Sequence, residues 1–78
     1  MAKKPTNTNE IKMAFEDVDP SDFRRRLGRL LNKDITDVEM SQLINGLIQV
    51  GPVRARIIEK ASRGKVRASV LRPDIFRR

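Results

Sequence analysis

The chain contains no cysteine, no histidine, no tryptophan and no tyrosine. Without cysteine there is no disulfide framework and no thiolate metal site. Without histidine the commonest metal ligand and the commonest general base are both missing. A nucleophile would have to come from Ser21, Ser41, Ser62, Ser69 or a threonine, with no imidazole to activate it. Neither an enzyme nor a metal or other cofactor is expected. Three phenylalanines make up the aromatic complement, too few for a surface that stacks unpaired bases. No run approaches the roughly 20 apolar residues of a membrane span. Met1-Ala2-Lys3-Lys4-Pro5 leads into no apolar stretch of the kind a secretory signal carries. The expectation is a soluble, cytoplasmic protein without a membrane partner.

What the chain has is positive charge. Seventeen Lys and Arg face ten Asp and Glu, for a net +7 over 78 residues. Residues 1–22 are net −2, residues 23–50 net +2 and residues 51–78 net +7, the last with nine basic and two acidic side chains. A basic region concentrated in this way is the footprint of a polyanion binder. The split between acidic and basic ends also fits a protein that binds another protein. A chain this short forms one domain at most and buries a limited core. A homodimer would be a reasonable way to enlarge that core.

Local signals divide the chain. Residues 1–10 are polar and read as a disordered arm, leaving residues 11–78 as one small helical domain. Ile11, Phe15 and Val18 have helical spacing, but Asp17, Asp19 and Pro20 close that segment quickly. It fits a short helix or a strap on the core. A helix is expected from Ser21 as N-cap, with Phe23, Leu27, Leu30 and Leu31 on one face. Within it Gly28 lowers helix propensity by about 1 kcal/mol relative to Ala and suggests a close helix contact. Asn32-Lys33-Asp34 would stop it. Thr36-Asp37-Val38-Glu39 is a capping-box sequence, opening a helix that carries Met40, Leu43, Ile44 and Leu47 as its apolar stripe. A third helix is expected from Pro52 to about Arg63, with Gly64 as C-cap and Val53, Ile57, Ile58 and Ala61 inward. Lys65-Val66-Arg67-Ala68-Ser69-Val70 fits either a strand or a fourth short helix, and Ile75 with Phe76 a small apolar anchor. The expected fold is all-α: three to four helices, a disordered N-terminus and a basic C-terminal tail.

The stretch from Leu47 to Ile58 concentrates the chemistry. It reads as a helix end, a tight hairpin around Val50-Gly51-Pro52 and a helix opening at Pro52. Gly51 supplies backbone angles that other residues adopt only at a cost. The amides that follow would point out of a positive helix end, where a phosphate can sit. Arg54 and Arg56 lie within one turn of it.

Leu47, Val50, Gly51, Pro52, Ala55 and Ile58 resemble the helix-hairpin-helix family of sequence-independent DNA-binding motifs. The likeness covers about a quarter of the chain, and Gln49 replaces the first glycine of the usual pattern. A longer likeness, from about Phe23 to Arg67, is similar in element order to actinobacterial integration host factor and to the helix-two-turn-helix proteins of the small ribosomal subunit. The resemblance implies a grip on the DNA phosphate backbone around Val50, Gly51 and Val53. Arg54, Arg56, Lys60, Arg63, Lys65 and Arg67 are the neighbouring basic contacts, with Arg25 and Arg29 behind them. The role would be architectural or regulatory, in a nucleoid or phage context. RNA or a ribosomal partner would satisfy the same charges. The other class of function is a small inhibitor or adaptor that binds a protein, for example a polymerase or nuclease. A helix-turn-helix over residues 36–63 is a competing arrangement, with Arg54, Arg56, Lys60 and Arg63 in the major groove. It lacks an Asn or Gln on the third helix to read adenine.

Overall fold

A computed structural model describes residues 7–76. Among them run α1 (Thr8–Phe15), α2 (Pro20–Leu31), α3 (Asp37–Ile44), α4 (Pro52–Ala61) and α5 (Ala68–Leu71), with no strand. The fold is therefore all-α, and residues 65–70 resolve in favour of a short helix.

The chain becomes helical earlier than expected. Thr8 to Glu10 already belong to α1, so the reading of residues 1–10 as a disordered arm fails at its end. Residues 1–6 of that arm lie outside the described residues. Tertiary contacts explain the early start. Ile11 and Phe15, one turn apart, are buried. The Asn7 side-chain amide donates to the Val70 carbonyl, and the Thr8 hydroxyl donates to the Gly46 carbonyl at 3.1 Å. These bonds fasten α1 to α5 and to the end of α3.

Asp19, not Ser21, caps α2. Its carboxylate accepts from the amides of Ser21 (3.0 Å) and Asp22 (3.4 Å), and Pro20 occupies the first turn. An aspartate before a proline at N1 satisfies the same need that Ser21 would have met. Asn32 ends α2 in the left-handed region, and the Lys33 amide returns to the Gly28 carbonyl at 3.0 Å. A Cβ on Gly28 would lie 2.9 Å from the Lys33 carbonyl oxygen. This glycine accommodates the returning chain rather than a neighbouring helix.

The capping box of α3 forms as its sequence demands. The Thr36 hydroxyl accepts from the Glu39 amide at 3.1 Å. The helix stops at Ile44, however, and Leu47 is 43% exposed. Gly46, at φ +62°, breaks the phase that would have carried Leu47 inward. Residues 45–51 connect α3 to α4, turning at Asn45-Gly46. Gly51 has φ −71° and ψ 167°, ordinary extended angles, so its expected need for special backbone freedom is not met. That need belongs to Gly46. Gly46→Ala should cost about 1–3 kcal/mol, through its positive φ and a Cβ 3.1 Å from the Thr8 carbonyl oxygen. Gly51→Ala, with nothing near its Cβ, should stay within about 0.5 kcal/mol of the parent. Urea unfolding followed by circular dichroism measures both.

The core gathers around Phe23, which is fully buried. Phe15 meets it edge to face, ring centroids 5.2 Å apart. Helix α4 packs mainly on α2 and α5, while α1 touches α5 and α3. Its inward face is Ala55, Ile58 and Ala61, and Ile57 is half-buried. Val53, expected inward, is 74% exposed, because it lies about 200° around the helix from Ala55. Leu30 likewise is exposed at the edge of α2, with Leu27 taking the inward position and Leu31 partly buried.

Between Lys65 and Phe76 the chain packs against the helical core. Val66, Ala68, Val70 and Leu71 are core residues. Buried Ser62 accepts from the Val66 amide at 2.9 Å, and Glu59 accepts from the Ala68 amide at 2.7 Å. Arg72 donates to the Val50 carbonyl at 2.8 Å and pairs with Asp74 at 2.8 Å. It thereby ties the C-terminal segment to the connection that leads into α4.

Candidate nucleic-acid interface

Helix α4 presents its basic side chains because its small and aliphatic ones are held inward. With Ala55, Ile58 and Ala61 buried, Arg56, Lys60 and, just past the helix end, Arg63 fall on the opposite side at i, i+4 and i+7. Lys60, Arg63 and Arg56 border one shallow concavity with Glu59 and Gly64. Arg56 and Arg67 border the next, together with Ser69, Ile75 and Phe76. The Arg56 guanidinium sits 4.7 Å from the Phe76 ring centroid. This stacking fixes its direction without consuming its charge. Phe76 is thus an anchor for a candidate contact as well as for the core, and Ile75 is 45% exposed.

A third cleft continues the surface across α2. Arg25, Arg63 and Lys65 line it with Ser21 and Asp22. Arg25 and Arg26 donate to Asp22 at 2.8 and 3.1 Å, and Arg63 reaches it at 3.3 Å. Lys65 donates to the Asp17 carbonyl at 2.7 Å. Arg25, Arg56, Lys60, Arg63, Lys65 and Arg67 therefore share one continuous side of the molecule.

The remaining expected residues do not join it. Arg29 borders a separate cleft with Arg24 and Lys33. Arg54 is exposed but points away from the line of Arg56 and Lys60, being about 200° around from Arg56. Val50 is buried, and its carbonyl is already bonded to Arg72. Gly51 and Val53 are exposed at the start of α4, where no side chain caps the helix. Pro52 has no amide, so the open donors there are those of Val53 and Arg54.

Pairing separates the cations further. Arg24 pairs with Asp37 at 2.6 Å, Lys33 with Glu39 at 3.0 Å and Arg72 with Asp74. Among the described residues Arg29, Arg54, Arg56, Lys60 and Arg67 make no ion pair. Asp22 and Arg26 carry weight that the sequence did not signal, and Phe76, expected as an apolar anchor, also holds Arg56. Asp22 and Arg63 lie 41 positions apart.

Three carboxylates titrate below their ordinary range. Burial works to raise Asp22, but the hydrogen bond from Arg25 and the charges of Arg26 and Arg63 together lower it. The Lys33 hydrogen bond lowers Glu39, against some desolvation, and Thr36 adds to the effect. The Arg72 hydrogen bond lowers Asp74. A carboxyl whose pKa is depressed by folding stabilises the native state above its unfolded pKa. That contribution is lost as pH falls through the folded value. Stability should therefore hold above the ordinary values of 3.8 and 4.5 and decline below them. Melting curves from pH 6 downward, about two units across the carboxylate range, would show this. Asp22→Asn and Glu39→Gln should each flatten the decline.

Comparison with known protein families, known proteins and solved structures returned no match to this chain. The described residues contain no group of three or more metal-binding side chains, and no helix long and apolar enough to cross a membrane.

Proposed function

We propose that this protein is a non-enzymatic binder of duplex DNA that grips the phosphate backbone with little sequence preference. The observation that carries the reading is the grouping of Arg56, Lys60 and Arg67, all without ion pairs, around the concavities beside α4. Arginine and lysine at that density position a phosphate backbone, and no Asn or Gln accompanies them on α4 to read a base edge. The uncapped start of α4, with open amides at Val53 and Arg54, supports a further phosphate contact of the helix-hairpin-helix kind. The role in the cell is architectural, or regulatory through occupancy, in a nucleoid or phage setting.

The test is a salt series. Random-sequence duplex DNA and a structured RNA, each fluorescently labelled, are titrated with the protein between about 50 and 200 mM salt. Contacts from Arg56, Lys60, Arg63 and Arg67 should give a slope of log K against log salt of about −3.6, at about −0.9 per phosphate. Affinity should differ little among duplex sequences. Tighter binding to the RNA would move the assignment to RNA. A flat salt response would end the nucleic-acid reading and leave a protein partner.

A further inference from the structure

Asp22 occupies an unusual place on the basic side of the molecule. It lies in the first turn of α2, where a negative charge favours the helix. Yet it also receives three guanidinium groups, from Arg25, Arg26 and Arg63, within 3.3 Å. Its side chain is 22% exposed, while those of Arg25 and Arg63 are 70% and 59% exposed. Each guanidinium offers five N–H donors, and one carboxylate engages only a few of them. The arginines therefore keep outward-facing donors. Lys65 and Ser21 border the same cleft, and Asp19, the other carboxylate there, is committed to the α2 cap.

A carboxylate and a phosphodiester each carry one negative charge shared over two terminal oxygens. Arginine binds both through paired, charge-assisted hydrogen bonds. Exposed ion pairs of this kind are weakly held, so exchange of one oxyanion for another is cheap. We propose that Asp22 is a built-in competitor for the backbone phosphate. In the free protein its carboxylate holds Arg25 and Arg63, and on binding a DNA phosphate enters this cleft and takes those arginines over. The choice of DNA as ligand rests on the function proposed above. The competition itself rests on the cluster. Its consequence is that removing Asp22 strengthens binding beyond what one unit of net charge supplies.

The experiment compares the full chain with Asp22→Asn and Asp37→Asn. Asp37 pairs with Arg24 away from this cleft, and its side chain is 91% exposed, so the second variant gains the same charge elsewhere. Duplex affinity and its salt slope are measured for all three. In parallel, the melting temperature of each is read with and without tripolyphosphate, a probe that needs no DNA reading. Asp22→Asn should bind duplex several-fold more tightly than Asp37→Asn, because its cleft arginines no longer have to leave a carboxylate for the phosphate. Tripolyphosphate should raise its melting temperature more than that of the other two proteins. Equal gains in the two variants would reduce the effect to net charge and overturn the proposal. So would equal tripolyphosphate shifts. If no protein binds duplex but the Asp22→Asn preference for tripolyphosphate persists, the competition stands and the DNA reading falls. Asp22→Ser, which keeps a small polar group in the first turn, serves in the same comparisons if Asp22→Asn lowers the melting temperature too far to assay.

Discussion

Arg56→Gln, Lys60→Gln and Arg67→Gln combined should weaken duplex binding by on the order of a hundredfold or more near about 100 mM salt. Each cation facing a phosphate contributes about −0.9 to the salt slope, so three losses should flatten it by about 2.7. The affinity follows, because counterion release is most of the driving force for non-specific binding. Glutamine keeps length and hydrogen-bonding capacity while removing charge. Arg56 also loses its contact with Phe76, so melting of the variant must be checked alongside. The control removes three charges elsewhere: Arg24→Gln, Arg29→Gln and Lys33→Gln. All three border a different cleft. The control should lose far less affinity. If the two triple variants weaken binding alike, the side formed by α4 and Arg67 is not the interface.

Phe23→Ala should have the largest effect on the fold. Phe23 is fully buried and in edge-to-face contact with Phe15. Truncating a buried phenylalanine costs about 3–5 kcal/mol. At about 0.05–0.15 kcal/mol per residue, a chain of 78 residues has about 4–12 kcal/mol in total. The variant should therefore lose about a quarter or more of that stability, and a parent at the low end of the range would be unfolded at room temperature. A loss of helical circular dichroism, or a much lower urea midpoint, would show this. Retention of the parent's midpoint would mean that the packing around Phe15 and Phe23 is not the centre of stability. Saturating duplex DNA should recover part of the lost helicity, since a ligand of the native state shifts the equilibrium by mass action.

Where the sequence could be read, the signal was local. Thr36 and Glu39 lie one turn apart and cap α3 by themselves. Pro52 opens α4, and Asn32 closes α2 in the left-handed conformation that asparagine tolerates. Where reading failed, a nearby competitor won. Ser21 was a sound cap, but Asp19 with Pro20 behind it was better placed. Leu47 continued the apolar spacing of α3, but Gly46 turned the chain before it. Gly51 sits in a pattern that suggests left-handed angles, and those angles lie instead at Gly46, against the Thr8 backbone.

The candidate site divides along the same line. Clustering of charge in the last third, the absence of histidine and cysteine, and the helical periods of residues 20–61 follow from the order of residues alone. They determined an all-helical chain with a strongly basic C-terminal third, because each depends on groups within a turn or two of one another. Arg25 and Arg26 pair with Asp22, and Arg72 with Asp74, within a turn, but which of the other cations are free of ion pairs was decided only by tertiary structure. Packing of α2 on α4 brings Arg63 to Asp22 across 41 positions. Docking of the C-terminal segment commits Arg72 to the Val50 carbonyl and places Phe76 beneath Arg56. An ion pair forms over a few ångströms of space, and sequence distance does not report that separation until the helices are packed.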